Sequence, residues 1–290
     1  MKEITNYIQS LDVTDKTIKS YKKNLKVFNE YLIKNGYMTI NENVIIGYKK
    51  HLLNSNLANN TVQAYLTTLK SYLKWYSRTF NEYDYSTVIK GIKVSREHKK
   101  DCLSTNQARE LLSSIDRNSN TGKRDYALIL LMLTGALRTI EITNIDRNDI
   151  RFKGDNIILE VLGKGRTEKD NYIKLSNETY IAINEYLEDR NDRDMVLFKA
   201  VSNRSNGRMT SESISRIVKQ RLRDIGINNP RITAHSLRHT SITLSLIGGA
   251  SIQEAMLHAR HSNINTTMIY NHSLDKAKNV CSSNVERLLF

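Results

Sequence analysis

The amino-acid sequence predicts a mainly α-helical chain of two domains, with one small antiparallel β-sheet in the second. Three observations carry that expectation. The 290 residues include one proline, Pro230, so little interrupts a helix. Apolar residues recur at three- and four-residue steps over most of the chain, as in helices with one buried face. Only between residues 149 and 175 does the pattern change, to short β-branched, alternating runs broken by glycine.

The elements follow in order. TDKTIKSYKKNLKVFNEYLIKNG (14–36) sets Ile18, Tyr21, Leu25, Phe28 and Leu32 on one stripe. Thr14 is placed to cap its start, and Gly36 to end it. VIIGYKKHLLN reads as a shorter helix. NNTVQAYLTTLKSYLKWYSR (59–78) repeats the stripe with Val62, Tyr65, Leu66, Leu69, Tyr72, Leu73 and Tyr76. GIKVSREHKKDCLS (91–104) is charged and has no apolar period, so it reads as a linker. The domains are then 1–92 and 104–290, joined by 93–103. A helix opens at STNQARELLSSI, capped by Ser104 or Thr105, with Glu110 within it. RDYALILLMLTGA (124–136) is nearly all apolar, as in a helix buried on all sides. Residues 149–175 predict three antiparallel strands, with a tight turn at Gly154-Asp155 and a glycine-flanked hairpin at Gly163-Lys164-Gly165. Helices are expected again at 177–190, 211–225, 234–247, 251–258, 263–271 and 273–288.

Composition narrows the partners. The formal net charge is +14 and the pI about 9.6. Such a balance draws a chain to a polyanion, either nucleic acid or an anionic membrane surface. No apolar run approaches the roughly 18 residues of a membrane span. The first residues, MKEITNYIQSLDVTDK, lack the apolar core of a secretory signal. The two cysteines, Cys102 and Cys281, show neither metal-ligand spacing nor a disulfide framework, which suits a reducing cytoplasm. Nucleic acid is the leading partner. The first hundred residues hold 17 Lys and Arg against 8 Asp and Glu, and ten of the fifteen tyrosines. Interleaved in this way they suit a surface that grips phosphates and packs on sugars. The same composition also fits a small helical domain with a solvated basic face.

Four stretches carry candidate chemistry: TGALRTIEI (134–142), VLGKGRTEKDNYIKL (161–175), TAHSLRHTSI (233–242) and ARHSNINTTMIYNH (259–272). Phosphodiester chemistry without metal needs arginine forks for the phosphate oxygens, an acid for the departing alkoxide and a hydroxyl able to attack. Arginine, lysine, histidine and tyrosine in these four segments meet that need. Together they resemble the tyrosine recombinase family (phage integrase, Xer-like). Arg138 follows a glycine-bearing helix end, with Glu141 three residues later. Lys164 stands in the glycine-flanked hairpin. His235 and Arg238 form His-x-x-Arg. His261 lies nine residues before Tyr270. The six catalytic positions are filled in the family's order over roughly residues 100–275.

That resemblance implies the two-domain architecture of the family, a helical core DNA-binding domain followed by an α+β catalytic domain. It implies that Arg138 and Arg238 clamp the scissile phosphate, with Glu141 in support. It gives His235 and His261 to the phosphate oxygens, Lys164 to protonation of the leaving 5′-hydroxyl, and Tyr270 to attack with a 3′-phosphotyrosyl link. The implied partner is double-stranded DNA at specific recombination sites, with four protomers on two sites and a tail from about residue 273 bridging them, and with scope for an accessory protein. Integration, excision and resolution all fit. No cofactor and no metal is expected. The pattern departs from the family at two places. TGALR carries one residue more between Gly135 and Arg138 than the usual Thr-Gly-x-Arg. Ala259-Arg260-His261 stands where the family has Leu-Gly-His, so Arg260 is read as a DNA contact or a solvent-facing side chain.

Each residue alone has a plainer reading. A helical tyrosine usually packs, Arg138 could complement a helix dipole, and Lys164 could be an ordinary hairpin lysine. Five of the seven histidines fall between 235 and 272, which invites zinc. No Cys, Asp or Glu completes a first shell, and Arg238 and Arg260 would repel a cation. His239 reads as structural or as a support for the site, His258 as packing, and His272 as a group near it. Two alternatives share the fold: a DNA-binding regulator that does not cut, and a type IB topoisomerase-like relaxing enzyme.

Overall fold

The computed structural model describes residues 2–93, 101–163, 168–200, 207–277 and 281–289. The chain divides into two units, Met1–Arg96 and Glu97–Phe290. The first is built from α1 (Lys2–Gln9), α2 (Asp15–Lys34), α3 (Glu42–Asn54) and α4 (Asn59–Phe80), followed by a single 3-10 turn at Tyr85–Val88. The expected stripes are the buried ones: Leu25 and Phe28 of α2 meet Tyr48 and Leu52 of α3 and Leu66 and Leu69 of α4. Helix α1 is a helix that sequence reading did not anticipate. It is too short to show periodicity, but Tyr7 and Ile8 are buried, and the Tyr7 hydroxyl donates to Ser71 Oγ at 2.8 Å.

The tyrosines of this unit correct one expectation. Tyr65 and Tyr72 lie in the core with the rest of their expected stripe, and Tyr7, Tyr31 and Tyr48, which composition left open to a nucleic-acid surface, are buried there too. They occupy the inward stripe of each helix, where a large ring buries much apolar area; the Tyr7 hydroxyl is paired with Ser71, and that of Tyr48 is buried without a hydrogen-bond partner among the described residues. Tyr37 and Tyr83 are the exposed ones.

In the second unit, α5 (Thr105–Ser113) opens on the expected cap: Ser104 Oγ accepts from Gln107 N, and the Gln107 side chain accepts from Ser104 N. Leu103, within the stretch read as linker, is buried in this unit's core. Helix α6 (Asn120–Gly135) begins four residues earlier than its apolar run because Ser119 caps it through Gly122 N. It is buried nearly all round and packs against α8 and α10. Its two buried charged residues, Arg124 and Asp125, pair with each other, and Asp125 also accepts two hydrogen bonds from Arg221. That pairing is what allows charge in an otherwise apolar helix.

A one-turn helix, α7 (Thr139–Thr143), leads into the sheet: β1 (Ile150–Lys153), β2 (Asn156–Val161) and β3 (Asn171–Lys174), antiparallel in the order β1-β2-β3. Ile150 faces Leu159, and Leu159 faces Ile173. The fold is thus mainly α with one small antiparallel sheet in the second domain, as expected. The remaining helices are α8 (Asn177–Arg190), α9 (Ser211–Asp224), α10 (Ala234–Ile247), α11 (Ile252–Ala259), α12 (Ile264–Ala277) and α13 (Cys281–Leu289). Where two helices meeting near residue 272 were expected, α12 runs on to Ala277, since no glycine or proline stops it there.

At the start of α6 the backbone of Asp116 lies so close that a Cβ on Gly122 would fall 1.8 Å from its carbonyl oxygen. Gly122→Ala is therefore expected to destabilise the second unit by about 3 kcal/mol, the upper range for an overpacked site. Urea unfolding followed by circular dichroism checks it; an unchanged midpoint would show that the turn yields freely.

Candidate active site

Two helix ends build the site. Helices α6 and α11 both finish in the left-handed region, and neither uses glycine there: Ala136 has φ 48° and Arg260 has φ 54°. A left-handed turn aims the last carbonyls of a helix outward, where they need donors. Arginine supplies them. Arg238, on α10 and 2% exposed, donates from its two terminal nitrogens to Ala136 O and Ala259 O, tying the two ends together. Arg260 reaches back from its own turn. It donates to Gly135 O at 3.1 Å, Ala136 O at 3.0 Å, His258 O at 2.9 Å and Glu141 Oε2 at 2.9 Å. Arg260 is thus neither solvent-facing nor free for DNA; it is a buried strut. The extra residue in TGALR has a matching explanation, since Ala136 makes the turn in place of the glycine.

Glu141 is the carboxylate at the centre. It is fully buried. One oxygen accepts from Arg138 Nη1 at 2.6 Å, and the other from the Arg138 backbone N–H and from Arg260. Burial acts to raise its pKa, but the Arg260 charge and the hydrogen bonds and charge of Arg138 outweigh it and hold the carboxyl below its ordinary range. Arg138 immediately precedes α7, so the first turn of that helix sets the 138–141 pair. Burial, and then the Arg138 charge, push Arg238 down to about 9, which leaves it a cation at neutral pH. Three guanidiniums stand against one carboxylate, an excess of positive charge of which Arg238 and Arg260 are buried and Arg138 is partly exposed.

Tyr270 of α12 lies beside this cluster and is 5% exposed. Burial raises its pKa above the ordinary value, against the lowering pull of Arg238 and Arg138. Its hydroxyl is in hydrogen-bond contact with His239 Nδ1. The rings of His261 and Tyr270 are stacked with centroids 6.4 Å apart, and His261 Nδ1 pairs with Thr267 Oγ1 at 2.9 Å. His235 is exposed, one helical turn before His239, with the two rings 4.5 Å apart. His258 pairs with Ser241 Oγ; burial and then the charges of Arg260 and Arg238 bring it down to about 4, so it stays neutral. Arg138, Glu141, Arg238, His235, His261 and Tyr270 are brought into one region. Lys164 lies outside the described residues. Among the described residues no group of three His, Cys, Asp or Glu is placed to hold a metal.

Sequence reading missed Arg260 as a buried group, and it read His239 as structural or as a support for the site without naming Tyr270 as its partner. The signal for Arg260 was its place where a left-handed turn was due. His239 gave none, because adjacent residues on a helix diverge by about 100°. The structure uses that divergence, sending Arg238 to the helix ends and His239 to Tyr270.

The model of the phage integrase family matches residues 101–277, and that of the phage integrase N-terminal SAM-like domain matches residues 4–79. This chain is a tyrosine recombinase of the phage integrase family. Tyrosine recombinases cleave and rejoin DNA. The chain is 26% identical to tyrosine recombinase XerD of Listeria innocua over 88% of its length and 87% of the relative's. It is 25% identical to tyrosine recombinase XerC of Thermodesulfovibrio yellowstonii over 93% and 91%. Among solved structures, XerH site-specific recombinase bound to a palindromic difH substrate shares the fold at a TM-score of 0.72, with 20% identity over 90% of this chain and 79% of that one. A lambda integrase dimer bound to a core site does so at 0.70, with 11% identity over 91% and 95%.

Removing Arg260 separates its two effects in this tyrosine recombinase. Arg260→Ala is expected to destabilise the second unit by about 3 kcal/mol, as for loss of one partner of a buried ion pair. Arg260→Gly should lose about 1 kcal/mol less, because glycine adopts the left-handed turn without penalty. Equal losses for both, by urea unfolding, would refute the strain argument.

Proposed function

We propose that this chain is a site-specific DNA recombinase that cuts and rejoins strands through Tyr270. One observation carries the reading: a buried tyrosine hydroxyl feels the charges of Arg138 and Arg238, in a cluster of three guanidiniums of which Arg138 and Arg260 share the single carboxylate Glu141. Such a pocket favours an anion that spreads charge over several oxygens, which is what a phosphodiester under attack becomes. Arg138 and Arg238 hold the scissile phosphate, each cation at the developing charge contributing about 3 kcal/mol. Glu141 and Arg260 fix Arg138, so its fork is in place before DNA arrives. His235 and His261 bond the phosphate oxygens. Lys164 protonates the leaving 5′-oxygen. The 3′-phosphotyrosyl link stores the bond, so rejoining to a new strand needs no ATP.

The substrate in this reading is double-stranded DNA bearing a specific site, handled in the cytoplasm by four protomers on two sites. The basic first unit is suited to the phosphate backbone. The tail supports self-association: α13 exposes Val285, Leu288 and Leu289, an apolar face that a neighbouring protomer would cover. No helix is long and apolar enough to cross a membrane among the described residues.

Nicked duplexes carrying the DNA on either side of its own gene test the chemistry. Wild type should form a covalent protein–DNA band on a denaturing gel, and Tyr270→Phe should form none. Specific binding without any band would favour the non-cutting regulator, and relaxation of supercoils at no particular site would favour the topoisomerase-like enzyme. Deleting residues 278–290 should remove cooperative assembly on DNA in a mobility-shift titration. Unchanged assembly would sink the bridging role of the tail.

A further inference from the structure

We propose that His239 is the base that takes the proton from Tyr270 as it attacks, an additional catalytic residue beyond the six that the family resemblance supplies. The inference rests on Tyr270 being the nucleophile. Helix α10 places three groups by spacing alone: His235 and His239 one turn apart, and Arg238 turned away from both toward the ends of α6 and α11. His239 is 6% exposed, with its Nδ1 in contact with Tyr270 Oη and the two ring centroids 5.4 Å apart. The other imidazoles near Tyr270 are differently engaged. His261 presents Nδ1 to Thr267 and stacks at 6.4 Å, and His235 lies at the exposed side of the helix. Glu141, the carboxylate of the site, is taken up by Arg138 and Arg260.

A phenol has an ordinary pKa of about 10 and is a weak nucleophile while protonated. Burial makes the Tyr270 proton harder still to lose to water. An acceptor already in its hydrogen bond removes that obstacle, because the proton moves only as the new bond forms. His239 can serve in its neutral form, with the proton on Nε2 and the lone pair of Nδ1 toward the hydroxyl. As Tyr270 Oη bonds to phosphorus, its proton passes to Nδ1, the bond from phosphorus to the 5′-oxygen breaks, and that oxygen takes its proton from a separate acid. On rejoining, the departing phenolate recovers the proton from the imidazolium. His235 from its own helix and Tyr270 from α12 pack on His239, and Tyr270 in turn meets the His261 ring, the charges of Arg238 and Arg138, and Cys102.

The test is single-turnover formation of the covalent band on the nicked duplex that wild type cleaves, measured from pH 5 to 9. Wild type should speed up with pH as an imidazole gives up its proton, near pH 6.5 in the ordinary case. His239→Gln and His239→Ala should react about a hundredfold or more slowly, lose that rising limb and still bind the duplex in a mobility shift. Added imidazole should partly restore His239→Ala. A rate within fivefold of wild type would overturn the proposal, as would a slower reaction with the rising limb intact and no rescue, which is the mark of a packing role. A wild-type band that is formed equally by Tyr270→Phe, or no band at all, would remove the nucleophile and the base with it, whereas Tyr270 dependence with an unaltered His239 variant removes only the base.

Discussion

The Glu141 carboxylate, buried and shared between Arg138 and Arg260, is the interaction on which the site depends. A lone carboxylate at that depth would be costly, and so would three neighbouring guanidiniums without it. Each makes the other tolerable. The helix ends complete the arrangement, because their outward carbonyls take donors that the carboxylate does not satisfy. Helix packing and charge pairing are therefore one problem here. The ends of α6 and α11 must meet for Arg238 to bridge them, and the arginines must be present for those ends to be buried.

Most of the fold was legible because it rests on local rules. Stripes of Leu, Ile and Tyr at helical spacing marked α2 and α4, and a change of period with glycine at 154 and 163 marked the sheet. The cap at Ser104 was visible as a residue type. What was not legible came from context. Helix α1 is eight residues long and is recognisable only by what Tyr7 packs against. The continuation of α12 past residue 271 depends on the absence of a stop signal, which is weaker information than its presence. The tyrosines of the first unit were open to two readings because composition does not say which face a side chain takes.

The site divides in the same way. Arg138, Glu141, Arg238, His261 and Tyr270 announce themselves by order and spacing along the chain, and those spacings bring them to one place. Lys164, which the sequence puts in a glycine-flanked hairpin, lies outside the described residues. Arg260 and His239 were different, since each gains its meaning from atoms far away in sequence: Arg260 from Gly135 O and Ala136 O, and His239 from a hydroxyl 31 residues on. An arginine where a glycine is usual looks like a surface replacement until the position of α6 is known.

Ala136 O accepts from Arg238 and from Arg260 at once. A main-chain oxygen has no rotamers, and no substitution deletes it. The spacing between two of the charged groups is thus referred to a fixed point of the backbone, like two compass legs set on one pin. Drift in the side chain at 136 leaves that point where it is, so the sequence can lose its glycine there while the geometry persists. Whatever moves the end of α6, in contrast, moves both guanidiniums together.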